Sequence, residues 1–218
     1  MFGRLVSPDP RDAAYPMSLA SKTGSESLFR LWRYWAALAP LDQGQTPQCV
    51  AFSWKGWLRT SPIHTTTGPG TQFIYDECQK VDGWPLPHDG SSVRAGAQII
   101  NGLGYIANYV WATTPDELKT WVLTKGPVVV GTIWTKDMFT PDANGTVKPT
   151  GSVVGGHAYL ITGYSRVSGR YRCLNSWGSG WGKKGSFWIK DSDLYSIIFS
   201  NEGEACAAVE QPLAVKVV

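Results

Sequence analysis

We predict an α+β fold for this chain of 218 residues, because two kinds of sequence pattern follow each other along it. The first half carries apolar residues at helical spacing, together with the residues that start and stop helices. The second half carries short β-branched and aromatic segments that are separated by glycine-rich turns. The composition changes near residues 112–115, where we expect the helical part to end.

The helices are predicted from apolar spacing and from their capping residues. Residues 49–59 place Val50, Trp54 and Trp57 on one helical face, and Gly102 and Gly104 follow a helix predicted for 92–101. A further helix should run over 115–125, since Thr114 can cap it, Pro115 suits its first position and Glu117 completes a capping box. In chain order, the predicted helices are 49–59, 73–80, 92–101 and 115–125.

The strands are predicted from alternating or β-branched segments in the second half. They are expected at 128–134, 158–164, 170–174 and 187–190. The segment before residue 40 is open to two interpretations. Thr23 and Glu26 form a possible capping box for a helix that would stop before Pro40, whereas the same residues could instead be extended chain wrapped around the core.

Composition excludes several classes of protein. A formal net charge of +3 is spread along the chain and does not predict nucleic-acid binding. No apolar run approaches the roughly 18 residues of a membrane helix. The four cysteines, Cys49, Cys78, Cys173 and Cys206, are too widely spaced for a Cys-x-x-Cys unit, so we expect free thiols and no metal or cofactor. With no apolar signal segment visible, we expect a reducing compartment, either cytoplasmic or within a particle or assembly.

Cys49 is the first candidate for chemistry. It stands at the start of a predicted helix, where the helix dipole and the unpaired backbone N–H groups favour a thiolate. An arbitrary cysteine is more often a small core residue, so this position alone does not establish a nucleophile.

Three segments change that assessment, because each resembles a part of the papain-like cysteine peptidases. The segment from Gln43 to Ser53 resembles their nucleophile region, with a glutamine six residues before the cysteine. Residues 155–164, which contain Gly-Gly-His-Ala-Tyr, are similar to their histidine strand, and residues 175–185, which begin Asn-Ser-Trp-Gly, are similar to their asparagine turn. The three come in the family's chain order over about residues 40–190, and the short Asp89–Ser92 segment looks more like compact prokaryotic or viral members.

The resemblance implies a role for each matching residue. Cys49 would be the nucleophile that forms an acyl-enzyme, and His157 would hold it as a thiolate–imidazolium pair. Asn175 would orient the imidazole, and Trp177 would shield that hydrogen bond from water. The Gln43 amide and the Cys49 backbone N–H would form the oxyanion hole.

The resemblance also implies a substrate cleft and a division of the chain. The residues expected to line the cleft are Gly90, Ser91, Gly131, Gly155, Gly156 and Ala158. Since these are small and uncharged, we expect the main selecting pocket to be neutral and to accept large apolar side chains, unless Glu210 or Gln211 reaches its floor. The expected parts are an extension (1–28), an N-terminal strand (29–42), a helical domain (43–113) and a strand-rich domain (114–218).

Residues 30–42 resemble the family's N-terminal strand. We therefore expect them to be extended chain and not a helix. The extension, 1–28, should either cover the cleft or lie as a structural wrap on the surface, and we favour the wrap.

The resulting function is a cysteine endopeptidase acting on peptides or proteins, of unknown oligomeric state. Two alternatives remain: a catalytically silent binding or structural protein with this fold, and a thiol amidase or transpeptidase acting on cell-wall peptides.

This sequence also departs from the family's pattern, because Thr46 and Pro47 replace a cysteine and a glycine, and Val50 replaces a tryptophan.

Overall fold

A computed structural model describes residues 2–7, 9–20 and 30–210 of the chain. Within these ranges the fold is α+β, with short 3-10 helices at Pro10–Ala14 and Lys136–Phe139. Its α-helices are α1 (Met17–Ala20), α2 (Cys49–Leu58), α3 (Thr71–Val81), α4 (Val93–Gly102), α5 (Pro115–Thr124) and α6 (Asp191–Phe199). Its strands are β1 (Trp32–Tyr34), β2 (Ile106–Trp111), β3 (Val128–Thr135), β4 (Val153–Ser165), β5 (Arg170–Leu174), β6 (Ser186–Lys190) and β7 (Glu204–Glu210).

The seven described strands form one antiparallel sheet. Its order is β2-β7-β3-β4-β5-β6, and β1 pairs separately with one end of β4. The long strand β4 is central, since it pairs with β1, β3 and β5. In this pairing His157, which is near the start of β4, lies opposite Thr132 of β3.

The sheet carries a hydrophobic core on each face, because side chains of a strand alternate between faces. Val128 and Val130 of β3 pack with α5 and α6, whereas Val129 between them packs with α2, α3 and α4. Strand β7 alternates in the same way, so that Cys206 faces the cluster of α2 while Ala205 and Ala207 face the other. The position of α2 against the sheet therefore follows from the pattern of buried residues.

Most predicted elements are confirmed, with shifts at their ends. The four predicted helices correspond to α2, α3, α4 and α5, and the four predicted strands to β3, β4, β5 and β6. Strand β4 begins at Val153, five residues earlier than predicted, because glycines 155 and 156 pair with β3 despite their low strand propensity. Helices α1 and α6 and strands β2 and β7 were not predicted from the sequence.

The segment before residue 40 is extended where the structure describes it. Trp32–Tyr34 pairs with β4, and the Trp35 backbone N–H donates to the Thr162 carbonyl oxygen at 2.7 Å. The preference for extended chain over helix is therefore confirmed for these residues. The possible helix start at Thr23 and Glu26 lies outside the described residues.

Residues 9–20 lie along the body of the protein. Met17 is fully buried in the core that includes α5, and Pro16 forms a bridge with Trp111. The Ser18 backbone N–H donates to a carboxylate oxygen of Glu117 at 3.2 Å, which joins α1 to α5. In the described part of the chain, no helix is long and apolar enough to cross a membrane.

Candidate active site

Cys49 is the first residue of α2 and is fully buried. Its Sγ accepts a hydrogen bond from the Ala158 backbone N–H at 3.4 Å, so the start of α2 lies directly against β4 beside His157. Burial raises the pKa of the Cys49 thiol to about 11, although the Ala158 N–H and other backbone donors oppose this shift. In this covered state the thiol is neutral at pH 7.

His157 makes the hydrogen bond that the sequence analysis expected. Its Nε2 lies 2.8 Å from Oδ1 of Asn175, and both side chains are buried. Among the residues that the structure describes, its other ring nitrogen, Nδ1, has no hydrogen-bond partner. Burial lowers the pKa of His157 to about 4, and the bond to Asn175 opposes that shift. The imidazole is therefore neutral in this environment.

Gln43 is attached to the turn that carries Asn175. The Gln43 backbone N–H donates to the Ser176 carbonyl oxygen at 2.8 Å, and the Ser176 hydroxyl donates to Oε1 of Gln43 at 2.6 Å. The Gln43 side-chain amide donates to the Thr46 carbonyl oxygen at 2.7 Å. Ser176 was not singled out from the sequence, yet it links Gln43 to Asn175, because its backbone N–H also donates to Asn175 Oδ1 at 2.8 Å.

Aromatic side chains surround the imidazole. Trp177 stacks on His157 with ring centroids 4.9 Å apart. Trp134 meets the imidazole edge-on at 5.0 Å, and Phe139 stacks on Trp177 at 5.6 Å. Trp134 and Phe139 were not identified from the sequence, since their contact with His157 and Trp177 depends on how β3 pairs with β4.

Residues 2–5 of the extension occupy the groove above Cys49. One side of this cleft is formed by residues 90–91 and the other by residues 155–157. The Arg4 backbone N–H donates to the Gly156 carbonyl oxygen at 3.1 Å, and the Ser91 N–H donates to the Gly3 carbonyl oxygen at 2.7 Å. The Leu5 N–H donates back to Ser91 at 2.9 Å, so the segment runs parallel to that wall. Residues 2–5 therefore lie between the expected cleft walls, and not only on the surface of the strand-rich part.

The residues expected to line the cleft contact this segment. A Cβ at Gly90, Gly131, Gly155 or Gly156 would collide with a residue between Phe2 and Arg4, and Ser91 is bonded to the same stretch. Ala158 is different, because its backbone N–H contacts Cys49 Sγ. Phe2 also packs against His157, with ring centroids 6.1 Å apart. Residues 2–5 thus lie against the residues that we expect to line the cleft, and this contact was not predicted from the sequence.

The pocket beside Gly131 is acidic, which corrects the expectation of a neutral pocket. Gly131 pairs across the sheet with Glu204, the first residue of β7. Glu204 Oε1 lies 3.0 Å from Nη2 and 3.1 Å from Nε of Arg4. Glu204 was missed because β7 was not predicted, and only its pairing with β3 brings the carboxylate to the pocket.

A comparison with family models identifies the relationship. The model of the papain family of cysteine proteases matches residues 91–206, which is just over half of the chain. The chain belongs to the papain family. The matched range includes His157 and Asn175, while Cys49 and Gln43 precede it. In the structure Cys49 and Gln43 contact Ala158 and Ser176, the chain neighbours of His157 and Asn175.

One distant relative and several solved structures are also similar to this chain. An uncharacterized peptidase C1-like protein of Acanthamoeba polyphaga mimivirus is 21% identical over 212 residues, covering 73% of this chain and 68% of that protein. Xylellain, a cysteine protease from Xylella fastidiosa, superimposes with a TM-score of 0.72 at 20% identity, covering 96% of both chains. A digestive procathepsin L 3 of Tenebrio molitor larval midgut gives a TM-score of 0.62 at 18% identity, covering 87% of this chain and 71% of its own. These structural similarities show a shared fold.

Proposed function

We propose that this protein is a cysteine endopeptidase in which Cys49 attacks the peptide carbonyl and His157 transfers the proton. The observation that carries the proposal is the buried His157–Asn175 hydrogen bond, which leaves Nδ1 of the imidazole without a described partner. The Cys49 thiol, at the start of α2, is hydrogen-bonded to the next residue along β4, Ala158. In this mechanism Cys49 forms an acyl-enzyme, and the imidazolium protonates the leaving amine.

The oxyanion hole would use the Cys49 backbone N–H at the start of α2 and the Gln43 side-chain amide. Ser176 supports this role, because its hydroxyl binds Gln43 Oε1 and so fixes which end of the amide carries the donors. Trp177 covers one face of the imidazole, and we propose that it keeps water from the His157–Asn175 bond.

We further propose that the chain, with residues 2–5 in the cleft, is an inhibited form of the enzyme. The Gly3 backbone N–H donates to the Gly156 carbonyl oxygen at 3.3 Å and also lowers the pKa of the Cys49 thiol. The segment therefore presents an N–H to the sulfur, where cleavage needs a carbonyl carbon. Phe2 covers His157 on the same side. The segment thus fills the cleft in an arrangement that does not favour attack on its own backbone.

While residues 2–5 cover the cleft, they also oppose formation of the Cys49 thiolate and the His157 imidazolium that catalysis needs. Burial raises the pKa of Cys49 and lowers that of His157, so proton transfer between them is unfavourable while water is excluded. Release of residues 2–5 would expose both groups to solvent and reduce these shifts. A thiolate–imidazolium pair could then form near neutral pH.

Casein hydrolysis by the full chain carrying Arg4→Glu tests the proposed function. This change places a second carboxylate against Glu204, which should expel the segment and allow casein to be cut. The same chain with Cys49→Ala added should be inactive. Absence of casein cleavage by the correctly folded Arg4→Glu protein would contradict peptidase function, and release of products from peptidoglycan alone would favour the amidase or transpeptidase alternative.

A further inference from the structure

We propose that Glu204 makes this enzyme select substrates with an arginine at the second residue before the scissile bond. The inference rests on the proposed peptidase function and names its substrate class. Its evidence is the position of Arg4 in this chain, because Arg4 fills the pocket that the arginine of such a substrate would enter.

The Arg4 side chain is enclosed in an acidic pocket. It is 1% exposed, and it donates from Nε and Nη2 to one carboxylate oxygen of Glu204 at 3.1 and 3.0 Å. Its Nη2 also donates to the Glu202 carbonyl oxygen at 2.5 Å. The pocket therefore holds a guanidinium by a charged acceptor and a backbone acceptor, which is the arrangement that distinguishes a cation from an apolar side chain.

The pocket lies one residue away from the reaction centre. Gly3 lies against Pro47, where a Cβ would collide with the Pro47 carbonyl group, and its backbone N–H acts on the Cys49 thiol and lowers the pKa of that group. Arg4 is the next residue, and its backbone is fixed by the Gly156 carbonyl. The segment presents the Gly3 N–H to Cys49, so we propose that a substrate, which must present a carbonyl carbon there, runs through the cleft in the opposite direction. The residue before its attacked carbonyl would then place its side chain in the pocket that Arg4 occupies.

Glycine residues create the space for a long side chain. A Cβ at Gly131 would lie 2.7 Å from Nε of Arg4, and a Cβ at Gly156 would lie 2.4 Å from the Arg4 carbonyl oxygen. A neighbouring cavity of about 300 Å³ borders Arg4, Glu202 and Glu204. The pocket therefore has room for an arginine side chain, and its glycine-lined walls would not exclude a leucine.

The buried carboxylate decides between these two side chains. Burial disfavours the charge on Glu204 and raises its pKa, and Arg4 acts in the opposite direction. A leucine would cover the carboxylate without a partner, which is unfavourable, whereas an arginine would restore both hydrogen bonds. Arg94 also contributes a positive charge at Glu204, but in this structure it pairs with Asp9 and Asp12.

The experiment compares two fluorogenic peptides that differ only in arginine or leucine at this residue, using the full chain with Arg4→Glu. The arginine peptide should have the higher kcat/KM. Adding Glu204→Gln should lower the arginine-to-leucine ratio by about 10- to 100-fold, because the charged acceptor is lost. Glu77→Gln is the matched control, since Glu77 pairs with Lys80 on α3 and does not line the pocket, and it should leave the ratio unchanged.

Binding separates failure of this inference from failure of the proposed function. The catalytically blocked chain with Arg4→Glu and Cys49→Ala should bind the arginine peptide more tightly than the leucine peptide in calorimetry, and Glu204→Leu should reverse that order. Arginine-selective binding without any cleavage by the Cys49 protein would overturn the function but keep the pocket. Cleavage with no arginine preference, or a preference that survives Glu204→Gln, would overturn the inference.

Discussion

At the residue scale, the hydrogen bond between Asn175 and His157 predicts that substitutions at Cys49, His157 and Asn175 reduce peptidase activity to different extents. Cys49→Ala removes the nucleophile and should abolish peptidase activity in the Arg4→Glu chain, and His157→Ala should lower kcat by about 10²- to 10⁴-fold. Asn175→Ala should lower kcat by about 10- to 100-fold, because the imidazole remains but loses the bond that orients it. Peptide hydrolysis assays check this order. His64 is exposed in the loop between α2 and α3, so His64→Ala is the control and should retain full activity. Equal losses for Asn175→Ala and Cys49→Ala in folded proteins would contradict these roles.

The reactivity of Cys49 should depend on whether the cleft is covered. With a pKa of about 11, the thiol of the unaltered chain is almost entirely protonated at pH 7, so its alkylation by iodoacetamide should be slow and should keep rising as the pH approaches that value. In the Arg4→Glu chain the rate should already reach a plateau near neutral pH. Mass spectrometry of the Cys49 peptide measures both rates, and identical pH profiles in the two proteins would be inconsistent with inhibition by the extension.

At the element scale, the extension is attached to the cleft by Arg4 and to the body by α1. Arg4→Ala removes the buried guanidinium and leaves Glu204 unpaired, so the segment should dissociate more often and peptide hydrolysis should increase by about tenfold or more. Arg11→Ala is the matched control, because Arg11 pairs with Asp9 on the exposed part of the extension. Hydrolysis rates of the two variants on one peptide check this. An increase for both, or for neither, would be evidence against Arg4 as the anchor.

Glu117 joins α1 to α5 through hydrogen bonds from Ser18 and Thr113. Burial raises its pKa, but these hydrogen bonds outweigh burial and lower it overall, so its stabilising effect is present at pH 7 and lost as the pH falls through the folded-state pKa. Glu117→Gln should therefore lower the free energy of unfolding by about 1 kcal/mol at pH 7 and by less at about pH 3. Denaturant titrations at both values measure this.

Asp116→Asn provides the control for that experiment. Asp116 is an exposed neighbour on the same first turn of α5, and its pair with Lys119 is a surface contact. If Glu117→Gln lowered the free energy of unfolding equally at both pH values, or if Asp116→Asn caused the same loss, the charge on Glu117 would not act through these bonds.

At the scale of the whole molecule, the sequence predicted the parts of the fold that carry a local signal. Helix α5 could be predicted because Thr114 caps it, and strand β3 because of its β-branched run. Strand β7 could not, since Ala205, Ala207 and Ala208 have low strand propensity and form a strand only through pairing with β2 and β3. The acidic pocket was missed for the same reason, because Glu204 reaches Gly131 only through that pairing.

The same distinction holds for the candidate site. Cys49, His157 and Asn175 could be located because each lies in a segment that resembles the papain family. The occupation of the cleft by Phe2, Gly3 and Arg4 could not be predicted, since it depends on contacts with residues about 90 and 150 positions away in the chain. Only the folded arrangement brings Ser91 and Gly156 to either side of that segment.

The most direct test of the central claim, that Cys49 is the nucleophile of a peptidase, is labelling with a peptidyl epoxide followed by mapping of the modified cysteine. All four cysteines are free and buried in the structure, so burial alone does not single out Cys49. In the Arg4→Glu chain the label should be found on Cys49 and not on Cys78, Cys173 or Cys206, and His157→Ala should greatly slow it. Labelling spread over the other cysteines, or labelling of Cys49 that is unaffected by loss of His157, would contradict the account.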